Sequence, residues 1–108
     1  VYFAGWRQTF IEHPFDEKTL KGWHLYAVDQ SLSLSSLGYT IYVLPLKIYH
    51  LSTGKLNLDY VYSFYKVFLK HRKNFAQIST TCTSTKTDWL RAIRYIIRLY
   101  WDHVVVGR

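Results

Sequence analysis

The chain has one cysteine, Cys82, among its 108 residues. A single thiol excludes an internal disulfide framework and any zinc site built on cysteines, and it fits a reducing compartment. No apolar run is long enough for a membrane-spanning helix and no signal peptide is visible, so any membrane contact is expected to be peripheral or to use a span outside this chain. Acidic residues are scarce, seven Asp and Glu against fourteen Lys and Arg. No internal repeat occurs. The first residue is Val1 rather than methionine, so the chain reads as a fragment or a processed product.

What is present argues for a folded chain. Hydrophobic residues make up 49% and aromatics 19%, with four Trp and ten Tyr, which is too apolar for intrinsic disorder. Its length allows one domain with a modest core. Tyr and Trp exceed what such a core needs, so some rings are expected to line a groove, meet lipid headgroups or cover a partner. The charge is segregated. Basic and acidic residues cancel up to residue 65, whereas from Lys66 onward nine basic residues face only Asp88 and Asp102, which accounts for the whole net charge of +7. Basic segments of this kind seek phosphates, on nucleic acid or on an anionic membrane.

Local patterns give an order of elements. Val1 to Phe10 reads as a strand leading into a turn or short helix, and His13-Pro14 breaks it. Leu25 to Leu37 has its apolar residues in helical register and stops at Gly38, where a left-handed residue is wanted. Tyr39 to Leu44 is β-branched and aromatic and reads as a strand ended by Pro45, with Leu46 to His50 as the next strand. Asp59 can cap a helix running to His71, with Tyr60, Phe64, Val67 and Phe68 on one side. Asn74 to Lys86 reads as a linker. Thr87 or Asp88 can cap a last helix to about His103, with Trp89, Ile93, Ile96, Ile97 and Tyr100 as its apolar face and Arg91, Arg94 and Arg98 along the opposite flank. Strands around 40–43 and 46–49 are expected to pack on the first long helix, burying Leu32, Ile41, Val43 and Phe64.

Phe15-Asp16-Glu17, Gly22-Trp23-His24, Asp29, Gly38-Tyr39, Pro45 and Tyr49-His50 follow one another in an order that resembles the late part of the catalytic domain of GT-A type nucleotide-sugar glycosyltransferases, over roughly residues 4–54. The resemblance implies an α+β fragment. Residues 1–56 would be the acceptor- and metal-side part of a Rossmann-like α/β domain, and residues 57–108 a basic, aromatic helical tail. The nucleotide-binding βαβ half and its Asp-x-Asp motif would lie outside this chain, which has no Asp-x-Asp of its own. The isolated chain is then expected to be inactive.

The resemblance also implies roles. Asp29 would be the catalytic base or hold the acceptor; of the usual Glu-Asp-x-Asp pattern, only this last acid stands in Tyr26-Ala27-Val28-Asp29. Trp23, His24 and Tyr26 would bind the acceptor. His50 would join absent carboxylates in holding a divalent cation, manganese or magnesium, a pairing that imidazole beside carboxylate suits. The acid of Phe15-Asp16-Glu17 would fix a loop. Plainer roles stay open for each: Asp29 as a capping-type acid, Trp23 in the core, His24 at a helix start, His50 as a polar strand-end residue. Cys82 has no base near it in sequence and carries little weight as a nucleophile. The partners implied are a nucleotide sugar and a glycan or lipid-linked acceptor, in the cytoplasm, with the inner face of a membrane as a place of contact through Arg91, Arg94 and Arg98. The alternative function is a non-catalytic basic module docking on a membrane surface or nucleic acid. The absence of any RNA-binding signature argues against nucleic acid.

Overall fold

The computed structural model describes residues 3–51, 56–80 and 84–107. Among them are four helices and a two-stranded antiparallel sheet. In chain order these are α1 (Arg7–Glu12), α2 (Tyr26–Ser36), α3 (Leu58–His71), β1 (Gln77–Ser79), β2 (Ser84–Lys86) and α4 (Trp89–Tyr100), which continues into a π-helical turn (Trp101–Val105).

The fold is organised around α3. Tyr60, Val61, Phe64, Val67, Phe68 and His71 recur at spacings of three and four, so they share one side of the helix, and all are buried. Its cap is Asn57, whose side chain accepts from the Tyr60 N–H at 3.1 Å. The expected cap, Asp59, lies instead in the first turn, where its charge suits the helix dipole. Phe64, Val67 and Phe68 meet Leu20, Ile78 and Ala92 in the main core, onto which Leu25, Val28 and Leu32 pack from the α2 side. Tyr60, Val61 and Leu99 form a second cluster. Rings tie α3 to α4 edge-to-face, Phe64 to Tyr95 at 4.8 Å and Phe68 to Trp89 at 5.1 Å between centroids.

The segment read as a linker, 74–86, contains the hairpin β1–β2. Its register pairs Gln77 with Lys86, Ile78 with Thr85 and Ser79 with Ser84. One apolar side chain anchors it: Ile78 is fully buried, and the residues beside it in β1 face solvent. Thr87 closes the base, donating from its N–H to the Ala76 carbonyl at 3.0 Å and from its hydroxyl to the Phe75 carbonyl at 2.7 Å. Outward-facing serines add side-chain bonds, Ser79 to Ser84 at 2.8 Å among them. Such polar outer positions hide the pattern from a hydropathy reading. Cys82 lies outside the described residues.

Other expectations are met or corrected. α2 forms where expected and ends at Gly38, whose φ of 94° is left-handed. α4 is capped by Asp88, which accepts from the Leu90 N–H at 3.0 Å. Its buried residues are Ala92 and Leu99, flanked by half-buried Tyr95 and Ile96; of the apolar face read from the sequence, Trp89, Ile93, Ile97 and Tyr100 are exposed. Among the described residues no strand leads the chain. Residues 3–6 are irregular and α1 follows, with Phe3, Phe10 and Phe15 gathered at centroid distances of 5.7–6.0 Å.

The strands expected at 40–43 and 46–49 do not form. Residues 39–50 have no regular structure and run exposed, with Val43 96% accessible and Ile41 uncovered as well. Phe64 is buried as expected, and Leu32 is half-buried rather than buried. The difference has a physical cause. A strand is stable only when a neighbour takes up its backbone hydrogen bonds, and the described residues offer this segment no such neighbour.

Candidate cleft at the start of helix α2

The chain enters α2 through Leu25, whose φ of 62° is left-handed, a conformation that costs a β-carbon-bearing residue energy. Leu25 packs against both core clusters, and that packing holds the turn. The helix therefore starts abruptly, and Tyr26 and Asp29, three residues apart, share one face of its first turn.

That face closes one side of an open cleft of about 670 Å³. The opposite lining comes from the loop before α2, with Phe15, Asp16, Glu17, Leu20, Lys21, Gly22 and Trp23. The loop is pinned by its acid. Asp16 accepts from the Thr19 N–H at 3.0 Å and from the Lys70 ammonium at 2.9 Å, and Lys66 donates to the Thr19 carbonyl at 2.9 Å. This is the loop-fixing role expected of Phe15-Asp16-Glu17.

Asp29 lies at the floor, only 2% accessible. One of its oxygens accepts from His71 Nε2 at 2.7 Å and the other from Lys70 Nζ at 3.0 Å. A carboxylate only accepts, so His71 carries its proton on Nε2 in this bond. Asp16, Lys70, Asp29 and His71 thus form one chain of charges and hydrogen bonds running from the half-exposed loop into the core. The pKa directions follow. Hydrogen bonds from Thr19 and Lys70 hold the Asp16 carboxyl well below its ordinary value of 3.8. Burial works against the Lys70 ammonium, but the bonds to Asp16 and Asp29 outweigh it and raise its pKa above 10.5.

Chemically, a carboxylate has about four lone-pair directions. Lys70 and His71 occupy two at Asp29, which leaves it further acceptor capacity. The arrangement holds the acid in place from both oxygens. It can orient a hydroxyl by accepting its hydrogen bond.

The sequence-derived candidates divide into groups. Trp23, Tyr26 and Asp29 come together in the cleft, with Trp23 91% accessible at its rim rather than in a core. His24 is half-buried and rests edge-on against Tyr60 of α3, ring centroids 5.5 Å apart, and does not line the cleft. His50 sits in the exposed segment 39–51 and does not line it either. Among the described residues, no group of three or more His, Cys, Asp or Glu side chains is placed to hold a metal ion. Arg91, Arg94 and Arg98 are exposed on α4; Arg91 pairs loosely with Asp88 at 3.4 Å and Arg98 with Asp102 at 3.6 Å.

Two members of the site escape a sequence reading. Lys70 and His71 stand 41 and 42 residues from Asp29, and only their position in the last turn of α3, below the buried Val67 and Phe68, hints that they reach inward. Compared with known proteins, the chain matches no family profile, no curated protein and no solved structure.

Proposed function

We propose that this chain is the acceptor side of a GT-A type, Rossmann-like glycosyltransferase domain, which moves a sugar from a nucleotide-sugar donor to a glycan or lipid-linked hydroxyl. The observation that carries the reading is the meeting of Trp23, Tyr26 and Asp29 in one open cleft. Saccharides present apolar ring faces that stack on aromatic side chains, while their hydroxyls need fixed polar partners. An exposed indole above a buried, ion-paired carboxylate supplies both. Asp29 takes the acceptor hydroxyl's hydrogen bond and, in the complete enzyme, its proton as the hydroxyl attacks the donor.

Segment 39–51 supports the same reading. In an extended strand Ile41 and Val43 would lie on one face and Tyr42 and Leu44 on the other, and all four are exposed. An apolar run of this kind on both faces suits a strand buried inside a larger sheet. In this reading the sheet belongs to the nucleotide-binding half. His50 follows the segment, and it completes a manganese or magnesium site with carboxylates of that half. Work at the cytoplasmic face of a membrane fits an acceptor carried on lipid. By itself, the chain binds acceptor and turns nothing over.

Saturation-transfer NMR with a panel of neutral oligosaccharides tests the cleft. At least one sugar is expected to receive saturation from the protein, and Trp23→Ala is expected to abolish the transfer without disturbing the fold, because the ring is almost wholly exposed. Failure of every sugar to bind, or equal transfer in the variant, refutes the reading.

A further inference from the structure

The exposed half of α4 is divided lengthwise. Leu90, Ile93, Ile97 and Trp101 fall at intervals of three and four and form one strip along the helix, with Trp89 and Tyr100 widening it on one side. All six are exposed, Leu90 at 74% and Ile97 at 61%. Val105 and Val106 extend the apolar surface past the π-helical turn. Along the other edge of the strip run Arg94, Arg98 and Arg91. The buried side is separate, made by Ala92, Tyr95, Ile96 and Leu99. This helix therefore has two apolar faces, and only one of them is used by the core.

An ordinary surface helix turns charge toward water opposite its core face. Here the solvent side carries an indole, an isoleucine pair and a leucine beside three guanidinium groups, within the part of the chain that holds the entire excess of positive charge. The carboxylates facing these arginines are Asp88 and Asp102, at the two ends of the helix; Asp88 is exposed and Asp102 half-buried. The middle of the arginine edge, Arg94, stands between them.

We propose that this face of α4 is a membrane-docking surface that lies in the plane of an anionic bilayer. Leu90, Ile93, Ile97 and Trp101 enter the boundary between headgroups and acyl chains, and Arg91, Arg94 and Arg98 reach lipid phosphates along the edge. Charge complementarity selects this occupant. A protein partner would cover the apolar strip but leaves the row of guanidinium groups unexplained, and nucleic acid would use the arginines but leaves the strip exposed. No helix among the described residues is long and apolar enough to cross a membrane, so the contact is made lengthwise. The proposal stands apart from the sugar-transfer reading and shares no residue with the cleft.

Co-sedimentation of the whole chain with vesicles of phosphatidylcholine containing about one third phosphatidylserine tests it, with pure phosphatidylcholine vesicles and a single-stranded RNA oligonucleotide as the other arms. Wild type is expected to partition onto the anionic vesicles and to come off as salt rises. Arg91→Gln/Arg94→Gln/Arg98→Gln is expected to lower partitioning roughly 100-fold, the conversion of about 1 kcal/mol for each basic side chain at such a surface. Ile93→Ser/Ile97→Ser, which keeps every charge, is expected to lower it at least tenfold and to remove the blue shift of tryptophan emission seen with bound wild type. Far-UV circular dichroism confirms that both variants fold. Equal sedimentation of wild type and the serine variant overturns the proposal, as does binding to RNA without binding to vesicles.

Discussion

Replacing Asp29 with alanine removes the group on which a histidine N–H and a lysine ammonium converge inside the protein. His71 is buried with its Nε2–H aimed at that carboxylate, and Lys70 spans Asp29 and Asp16. Taking away one partner of a buried ion pair costs about 3–5 kcal/mol, because the remaining group stays desolvated without its acceptor. Lys70→Met should cost far less. Its side chain is 31% accessible, so solvent screens its pairs, and Asp29 keeps His71; about 1 kcal/mol is the expected loss. For a domain of this size each kcal/mol moves Tm by roughly 4–8 °C, so the alanine variant should melt more than about 12 °C lower and the methionine variant about 5 °C lower. Asp29→Leu combined with His71→Phe removes both buried polar groups together, and should be more stable than Asp29→Ala alone. Urea unfolding followed by circular dichroism measures all three. The reasoning fails if Asp29→Ala lies within about 1 kcal/mol of wild type, or if Lys70→Met is the costlier change.

The same network sets the pH range of stability. Asp16 is held below its ordinary value of 3.8, so its contribution is present above about pH 4 and is lost as the pH falls further; Lys70 is raised above 10.5, so its contribution is full below that pH and disappears as the pH climbs past it. Tm should be level between these limits and drop at both ends, with Lys70→Met flattening the alkaline limb; an unchanged alkaline limb in that variant speaks against the assignment. In limited proteolysis, chymotrypsin should cut first after Tyr42 or Tyr49 in the exposed segment, and only later after Phe64 or Phe68, which are buried in α3. Mass spectrometry of the first fragments checks the order, and initial cuts within α3 contradict it.

How much of this could be read from the sequence depends on the range of each determinant. Helices α2, α3 and α4 are legible because their causes are local: apolar spacing, the Asp88 cap, and a glycine able to adopt a left-handed conformation at 38. Strands are another matter. Tyr39 to Leu44 has as strong a β pattern as this chain offers and forms no strand, whereas Gln77-Ile78-Ser79, nearly featureless in hydropathy, forms one because Ser84-Thr85-Lys86 is close enough in sequence to pair with it. Pattern shows what a segment could bury; pairing decides whether it does. On α4, period alone identifies the apolar positions but not which of two apolar arcs faces the core, and the choice of Ala92 and Leu99 over Ile93 and Ile97 is made by α3.

The candidate site divides along the same line. A lone acid among Val28, Leu32 and other apolar neighbours announces from sequence that it needs a partner or a task. The partners stand more than forty residues away on another helix, and nothing in the spacing points to them. In the proposed function those partners serve to fix the acid in place. An acid needed only to hold α2 against α3 could sit anywhere along their contact. Asp29 sits instead at the first turn of α2, at the floor of an open cleft whose rim carries an exposed tryptophan. Lys70 and His71 fix it in position through one bond to each oxygen, which is what the proposed function asks of a group that takes a hydroxyl's hydrogen bond.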